Sequence, residues 1–121
     1  MGTINIMRNI GDRVGCILSG ERDGKTVNFL GYGVYEGDFI SPIGPFGMSW
    51  EEFDEIARKD DPNYTADKRA KNPRIKLDNG NIVWGQECWW GDEEKIKKML
   101  DGKTVVIVDI DGKPLILSQN G

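Results

Sequence analysis

Residues 74–84 read RIKLDNGNIVW, and this stretch carries the clearest hairpin signal in the chain. Polar and apolar side chains alternate over residues 74–78, which is the period of a half-buried strand. Asn79 and Gly80 then supply the turn, because both tolerate the positive φ that tight hairpin turns require. The stretch therefore predicts an antiparallel hairpin whose return strand begins at Ile82.

An earlier hairpin is predicted from residues 13–19 and 26–35, two β-prone runs joined by the turn residues 22–25, RDGK. Gly31 and Gly33 stand inside the second run. Glycine weakens a strand and indicates a bulge, or a place where another backbone or a ligand comes close. Packing of the two glycines against a bulky neighbour is the plainer alternative.

A first helix is predicted after the loop 41–47, SPIGPFG, whose prolines and glycines exclude regular structure. Ser49 and Glu52 have the spacing of a capping box, which marks a helix start. The helix runs from Trp50 to about Lys59. Its apolar face is predicted to lie on a sheet and consists of Trp50, Phe53, Ile56 and Ala57. The polar residues between them are Glu51, Asp54, Glu55 and Arg58.

A second helix is predicted from a cap at Asp92 to Asp101, with acidic residues in its first turn, basic residues near its end and Gly102 beyond it. The apolar run 104–110 follows, then the turn Asp111-Gly112 and the short run 115–117. We expect this last hairpin to supply a central strand, since nearly continuous apolar runs are typical of buried strands.

The predicted fold class is therefore α+β, an antiparallel sheet of about six strands with two short α-helices. A length of 121 residues is enough for one hydrophobic core, so we expect a single domain over residues 1–121. With 38% hydrophobic residues the chain is too apolar to be disordered.

The charge balance, the N-terminal sequence and the cysteines indicate the partners and the cellular location that we expect. Sixteen basic and twenty acidic side chains give a net charge of -4, which repels nucleic acid and acidic membranes, so neither is an expected partner. The N-terminal residues lack the apolar run of a signal peptide or membrane span. Cys16 and Cys88 have no metal or disulfide spacing, and we expect them in the core of a reduced, cytoplasmic protein.

The residue types present exclude several kinds of chemistry. The chain has no histidine, which excludes Ser-His and Cys-His catalytic arrangements and histidine metal sites. The phosphate-binding glycine motifs and the calcium-loop spacing are absent too, so no metal or cofactor is expected. Glu36 and Asp38 would face one side of a strand as a carboxylate pair, but two such residues near a turn are usually solvated. We expect a binding protein and not an enzyme.

Three of the four tryptophans lie in residues 84–91, WGQECWWG. In one extended strand Trp84 and Trp90 face one way and Trp89 the other, so the three cannot share one core. At least one is then a candidate for a binding surface or a subunit interface, where tryptophan is enriched. The alternative is that helices and a partner strand cover all three.

Basic and amide side chains accompany this aromatic segment. Arg74 and Lys76 lie on the polar face of the predicted hairpin, close to Asn72. Stacking on a flat ring, a guanidinium for phosphate and an amide for a base edge together recognise a nucleotide. The polar stretch 59–73 adds a basic cluster at Lys68, Arg69 and Lys71, which is typical of a binding loop or of a solvated surface.

Three segments resemble a known family: residues 29–38, FLGYGVYEGD, residues 72–80, NPRIKLDNG, and residues 83–91, VWGQECWWG. They are similar to small phage and bacterial proteins that we identify as the first family of Thoeris anti-defence proteins. The similarity covers about two thirds of the chain, and residues 48–71 look like an insertion.

The resemblance implies a molecular sponge in the host cytoplasm. Such a protein binds a cyclic ADP-ribose isomer made by an immune TIR enzyme, sequesters it without cleavage, and in some cases also binds cyclic oligonucleotides. It implies a homo-oligomer as well, a dimer or a trimer of dimers. The ligand-binding residues that we predict from their chemistry are Asn72, Arg74, Trp89 and Trp90, followed by Arg69, Lys68 and Phe46.

Two other hypotheses stay open. The first is a protein-binding inhibitor or adaptor that docks on a basic partner through the acidic helix from Ser49 to Lys59 and through the exposed tryptophan strand. The second is a hydrolase, which would consume the ligand that a sponge merely holds.

Overall fold

The computed structural model describes residues 9–42 and 44–115. Its strands, numbered β1 to β6, are Arg13–Gly20, Thr26–Phe39, Asn72–Leu77, Ile82–Trp84, Trp89–Asp92 and Thr104–Ile107. Two α-helices accompany them, α1 at Trp50–Asp60 and α2 at Glu93–Leu100. The predicted α+β class, with a six-stranded sheet and two short helices, is confirmed.

The sheet has the strand order β4-β3-β2-β1-β5, and β6 pairs with β2 in addition. The pairs β1–β2, β1–β5 and β3–β4 are antiparallel, whereas β6 runs parallel to β2. The hairpins predicted at residues 13–35 and 74–84 are present, and β2 is four residues longer than the predicted run 26–35. The long strand β2 therefore organises the sheet, because three other strands pair with it.

The turn between β1 and β2 is held by the side chain of Asp23. Its carboxylate accepts hydrogen bonds from the backbone N–H groups of Lys25 and Thr26, at 2.8 and 2.9 Å, and from the Thr26 hydroxyl at 2.8 Å. These bonds, first of all that from the Lys25 N–H, lower the pKa of Asp23. The side chain thus replaces water around the turn backbone, as Asp does in such turns.

Gly31 and Gly33 meet both parts of the expectation made for them. The register between β1 and β2 moves from Cys16 opposite Gly31 to Ile17 opposite Phe29, so the residue before Gly31 is the extra residue of a bulge. A Cβ atom on Gly33 would lie 2.2 Å from the carbonyl oxygen of Lys76. Glycine is therefore needed where β3 crosses closest to β2.

The tryptophan segment is not one extended strand, which corrects the prediction for residues 84–91. A 3-10 turn at Gly85–Glu87 separates β4 from β5, and the Glu87 carboxylate accepts a bond of 3.1 Å from the Trp84 N–H. The chain thereby crosses from one end of the sheet to the other, where β5 pairs with β1. A turn stabilised by one acidic side chain leaves no mark in the hydrophobic period.

The last apolar run does not form a central strand, and that prediction was wrong. Strand β6 lies beside residues Thr26–Phe29 at one edge of β2, in parallel register, and its first two residues are exposed. Asp109 begins the following turn, and an isolated antiparallel bridge joins Val108 to Pro114. Most of the predicted return run 115–117 lies outside the described residues, as do residues 1–8 and Ile43.

Buried side chains form two clusters. The larger contains Val14, Cys16, Leu30, Tyr35, Ile75, Leu77, Val83, Cys88, Trp90 and Val108. The smaller contains Ile17, Phe29 and Ile96, the last from α2. A Cβ atom on Gly15 would lie 2.8 Å from the Ile96 side chain, so α2 packs closely on β1 there. The expected burial of both cysteines is confirmed, and both are free thiols.

Both helices begin at their predicted caps, but with different chemistry. Ser49 and Glu52 form the full capping box at the start of α1. Asp92 occupies the N-cap position of α2 without a side-chain capping hydrogen bond. None of the helices in the described ranges is long and apolar enough to cross a membrane.

The apolar face of α1 differs from the predicted one. Asp54, expected on the polar face, is 5% exposed, whereas Ile56, expected on the apolar face, is 49% exposed. Trp50, Phe53, Asp54 and Ala57 form the i, i+3, i+4, i+7 stripe of a helix, so geometry places Asp54 among the covered residues. The carboxylate stays buried because Arg69 and Tyr64 bind it.

Contacts divide the chain into two compact units. The first unit consists of Met1–Gly37 and Pro73–Gly121, and the second is Asp38–Asn72. The second unit encloses the segment 48–71 that the family resemblance treats as an insertion. It contains α1 and two 3-10 turns, at Pro45–Gly47 and Ala66–Lys68. The expectation of one domain stays a prediction.

Candidate ligand-binding site

A groove lies in the first unit beside β2. It consists of two cavities of about 280 and 340 Å3 that share Leu30, Leu77 and Asn79 in their walls. The larger cavity reaches the lower end of the range of small-molecule sites, roughly 300–1,000 Å3, and the smaller one lies just below it. We call this feature the β2 groove.

The groove follows from how two strands share one edge of β2. The carbonyl oxygen of Phe29 accepts a 2.9 Å bond from the Val108 N–H, just after β6. The carbonyl oxygen of Tyr32 accepts a 2.9 Å bond from the Asp78 N–H, just after β3. Between these two bonds lies the bulged part of β2, whose Leu30 lines both cavities. The cavity opens in that gap.

The floor and walls of the β2 groove are mostly aliphatic. Leu30, Leu77, Val83 and Val108 are at most 4% exposed and belong to the larger buried cluster. Ile110, on the turn after β6, is 39% exposed and lines the outer part. The groove therefore has an aliphatic lining that opens to solvent at its rim.

Polar side chains from two turns stand at the rim. The side-chain oxygen Oδ1 of Asn79 accepts a 2.9 Å hydrogen bond from the Asn81 N–H. Oδ1 of Asp109 accepts hydrogen bonds from the N–H groups of Asp111 and Lys113, both at 2.9 Å. Within the part of the chain that the structure describes, the Asn81 amide group and Oδ2 of Asp109 make no hydrogen bond. These groups are available to a ligand.

Asp78 brings a compensated charge to the groove. Arg13 donates two bonds of 2.7 Å to its carboxylate and further bonds of 2.9 and 3.1 Å to Glu93. The hydrogen bonds from Arg13 lower the pKa of Asp78 below its usual value. Since one guanidinium serves two carboxylates, this end of the groove is not positively charged.

The tryptophans of the first unit have different environments. Trp90 is 2% exposed and stacks on Tyr35, with ring centroids 5.7 Å apart, so its ring is part of the core. Trp84 is 8% exposed, whereas Trp89, on the outer strand β5, is 47% exposed. Of the three rings, Trp89 offers the most surface to a ligand or a second subunit.

Arg74 lies on β3, opposite Trp84 in the β3–β4 register. Its Nε donates a 3.0 Å hydrogen bond to Glu36 on β2. The Arg74 side chain keeps 35% of its surface exposed. An anion that binds Arg74 must therefore share the guanidinium with Glu36.

The second unit holds the remaining predicted ligand-binding residues. Arg69 lies 5.1 Å above the Trp50 ring and donates a 2.5 Å bond to Asp54, so its stacking and its charge already have partners there. Lys68 is exposed and donates to the Asn63 carbonyl oxygen at 3.0 Å. Phe46 is 89% exposed, and Asn72 is half-buried at the start of β3.

The predicted residues thus fall into two groups, Arg74, Trp89 and Trp90 in the first unit and the other four in the second. The β2 groove was not among the predicted sites. The sequence predicts Asn79 as a turn residue and Asp109 as part of the apolar run 104–110, and it gives Asn81 no role. The parallel pairing of β6, which brings Asp109 toward the Asn79 turn, has no local sequence signal.

Comparison with known proteins gives no relative: no protein-family model, no curated protein and no solved structure matches the chain.

Proposed function

We propose that this protein is a phage-encoded binding protein that sequesters a cyclic ADP-ribose-type, or other cyclic nucleotide, immune messenger in the host cytoplasm without degrading it. One observation carries the proposal. All three segments that resemble Thoeris anti-defence proteins contribute walls to the β2 groove. The first segment gives residues 29–32, the second residues 77–79, and the third Val83.

The polar residues of these segments distinguish a shared binding site from a hydrophobic core that merely resembles that of the family. A common core would need only apolar side chains at such positions. Asp78 and Asn79 are polar, belong to the second segment and line the groove. Polar groups placed around an apolar cavity are typical of small-molecule sites.

Two of the residues predicted from their chemistry support the same proposal. Trp89 presents a half-exposed ring on which a base can stack. Arg74 is partly exposed and can share its guanidinium between Glu36 and a phosphate. We also propose that the protein is a homo-oligomer, with Trp89 on the outer strand β5 at the contact between subunits.

A second candidate function is a protein-binding inhibitor. Its supporting observation lies in the second unit, where Glu51, Glu52 and Glu55 are exposed along α1 and Phe46 is 89% exposed. An apolar anchor beside carboxylates fits a partner with an apolar pocket and a basic rim.

Thermal unfolding with free ligand tests the proposal. Cyclic ADP-ribose isomers and a cyclic dinucleotide are added separately, and a concentration a hundredfold above Kd should add about 2.7 kcal/mol to the free energy of unfolding. Native mass spectrometry of the same mixtures gives the number of subunits and ligands. Absence of both a shift and a bound mass would contradict sequestration and favour the protein-binding inhibitor.

Recovery of the ligand separates a sponge from a hydrolase. The bound sample is heat-denatured and the supernatant is separated by chromatography. Sequestration predicts the intact cyclic compound in the amount added. Linear products that accumulate with incubation time would instead identify an enzyme.

A further inference from the structure

We infer that the β2 groove binds the uncharged nucleoside part of its ligand and keeps the phosphates outside. This inference rests on the proposed function for the choice of a nucleotide. It adds which part of the nucleotide the groove accepts, and it places the recognition at Asn81 and Asp109.

The first step of the argument is electrostatic. Among the described residues that line the two cavities, none is cationic, while Asp78 and Asp109 are acidic. The nearest guanidinium, that of Arg13, is divided between two carboxylates. A phosphate placed in the groove would lie near these carboxylates with no lining cation left to pair with it, which is unfavourable in a partly desolvated site.

The second step shows that the carboxylates of the groove do not require a cationic ligand. The Asp78 carboxylate is paired with Arg13 at 2.7 Å, and the Asp109 carboxylate accepts two backbone N–H bonds. Both negative charges are therefore already stabilised by the protein. A neutral ligand that donates hydrogen bonds fits such groups without adding a charge that needs desolvation.

The third step matches the free polar groups to a nucleoside. The Asn81 amide offers a donor and an acceptor side by side, which is the pattern that reads an adenine edge. Oδ2 of Asp109 can accept a hydrogen bond from a ribose hydroxyl, as carboxylates do in dinucleotide sites. The exposed aliphatic side chains of Ile82 and Ile110, which line the same cavity, can cover the flat face of the base.

Calorimetric titration with adenosine and AMP tests the inference on the whole protein. Adenosine should bind, and AMP should bind about three- to tenfold more weakly because its phosphate lies near the Asp109 carboxylate, whose charge is not paired with a cation. Tighter binding of AMP than of adenosine would overturn the inference. So would the absence of adenosine binding.

Three variants locate the binding. Ile110→Trp fills the outer groove and should abolish adenosine binding, while Val105→Trp, a similarly exposed position on β6 outside the groove, should leave binding unchanged. Asn81→Ala removes a side chain without hydrogen bonds and should weaken adenosine about tenfold, at unchanged melting temperature. Equal affinity in Ile110→Trp and wild type would overturn the inference.

A charge variant gives a readout that a structural role would not move. Asp109→Asn keeps an oxygen acceptor for the Asp111 and Lys113 N–H groups but removes one negative charge. The ratio of AMP affinity to adenosine affinity should therefore rise toward one. An unchanged ratio would show that the Asp109 charge does not repel the phosphate, and would overturn the electrostatic argument.

The same measurements distinguish this inference from the proposed function. If a cyclic ADP-ribose isomer binds wild type and Ile110→Trp equally, sequestration stands and the β2 groove is not its site. If adenosine binds in the groove and no cyclic nucleotide binds, the nucleoside site stands and sequestration of such messengers fails.

Discussion

Gly33 lies directly against the backbone of Lys76, so that a Cβ atom at Gly33 would be 2.2 Å from the Lys76 carbonyl oxygen. No rotamer change relieves such a contact, because the obstacle is backbone. The crossing of β2 and β3 therefore depends on the absence of one methyl group.

Gly33→Ala should lower the free energy of unfolding by about 2–3 kcal/mol or more, since overpacking against backbone forces the strands apart. Urea denaturation measures the change. Gly20→Ala is the matched control on β1, because its added Cβ would meet nothing closer than 4.0 Å. The control should change stability by about 0.5 kcal/mol or less. Equal effects of the two substitutions would contradict the close crossing.

Phe46 has φ of 57°, and it is the one non-glycine residue with positive φ in the described part of the chain. The left-handed region costs an L-residue about 1–2 kcal/mol, and glycine avoids this cost at a smaller entropic loss. Phe46→Gly should therefore stabilise the protein by about 0.5–1 kcal/mol. Phe46→Ala keeps the strain and loses little buried surface, because Phe46 is 89% exposed, so its stability should stay near that of wild type. Chemical denaturation compares the two variants.

Asp54 should make the stability of the protein depend on pH in the acidic range. The hydrogen bond from Arg69, opposed by burial and aided by Tyr64, lowers the pKa of Asp54 in the folded state. A lowered folded pKa means that the stabilisation is fully present above the unfolded value, about 3.9, and is lost as pH falls through the folded pKa. The melting temperature of wild type should thus exceed that of Asp54→Asn near neutral pH, and the difference should begin to shrink as pH falls below about 4.

A double-mutant cycle assigns this effect to the pair. Asp54→Asn, Arg69→Gln and the double variant are melted at pH 6 and at pH 3. The coupling between the two substitutions should be present at the higher pH and shrink at the lower one, because the protonated carboxyl loses its charge-assisted bond. A coupling that does not change with pH would show that Asp54 acts through packing alone.

The two cysteines should be unreactive in the folded protein. Cys16 and Cys88 are fully buried, and the hydrogen bond between their thiols, together with burial, raises the pKa of Cys16. The thiolate is the reactive form, so alkylation by iodoacetamide should follow unfolding only. Mass spectrometry after pulse labelling in increasing urea measures it. Labelling of either thiol without denaturant would contradict the buried placement.

Local patterns predicted the parts of the fold that local chemistry determines. The Asp23 and Asn79 turns, the Ser49 capping box and the start of α2 at Asp92 were all predicted correctly. Each depends on residues within three or four positions of one another. The same holds for burial of the two cysteines, which follows from their side-chain chemistry.

The parts that were predicted wrongly depend on distant residues. The parallel pairing of β6 with β2 joins residues 78 positions apart, such as Thr26 and Thr104, and strand direction has no signature in an apolar run. Asp54 is buried because Arg69, fifteen residues later, neutralises it. The β2 groove also depends on distant residues, since its rim comes from two turns that only the pairing of β3 and β6 with β2 brings together.

The spacing of two carbonyl groups on β2, those of Phe29 and Tyr32, determines how far apart β3 and β6 end. The bulge already lies between these groups, in a stretch where a residue of β2 is left without a partner. Inserting or deleting one residue there would widen or narrow the groove while both flanking pairings persist. The size of the cavity is thus a property of the sheet itself, and it changes with the length of a strand instead of the sequence of a loop.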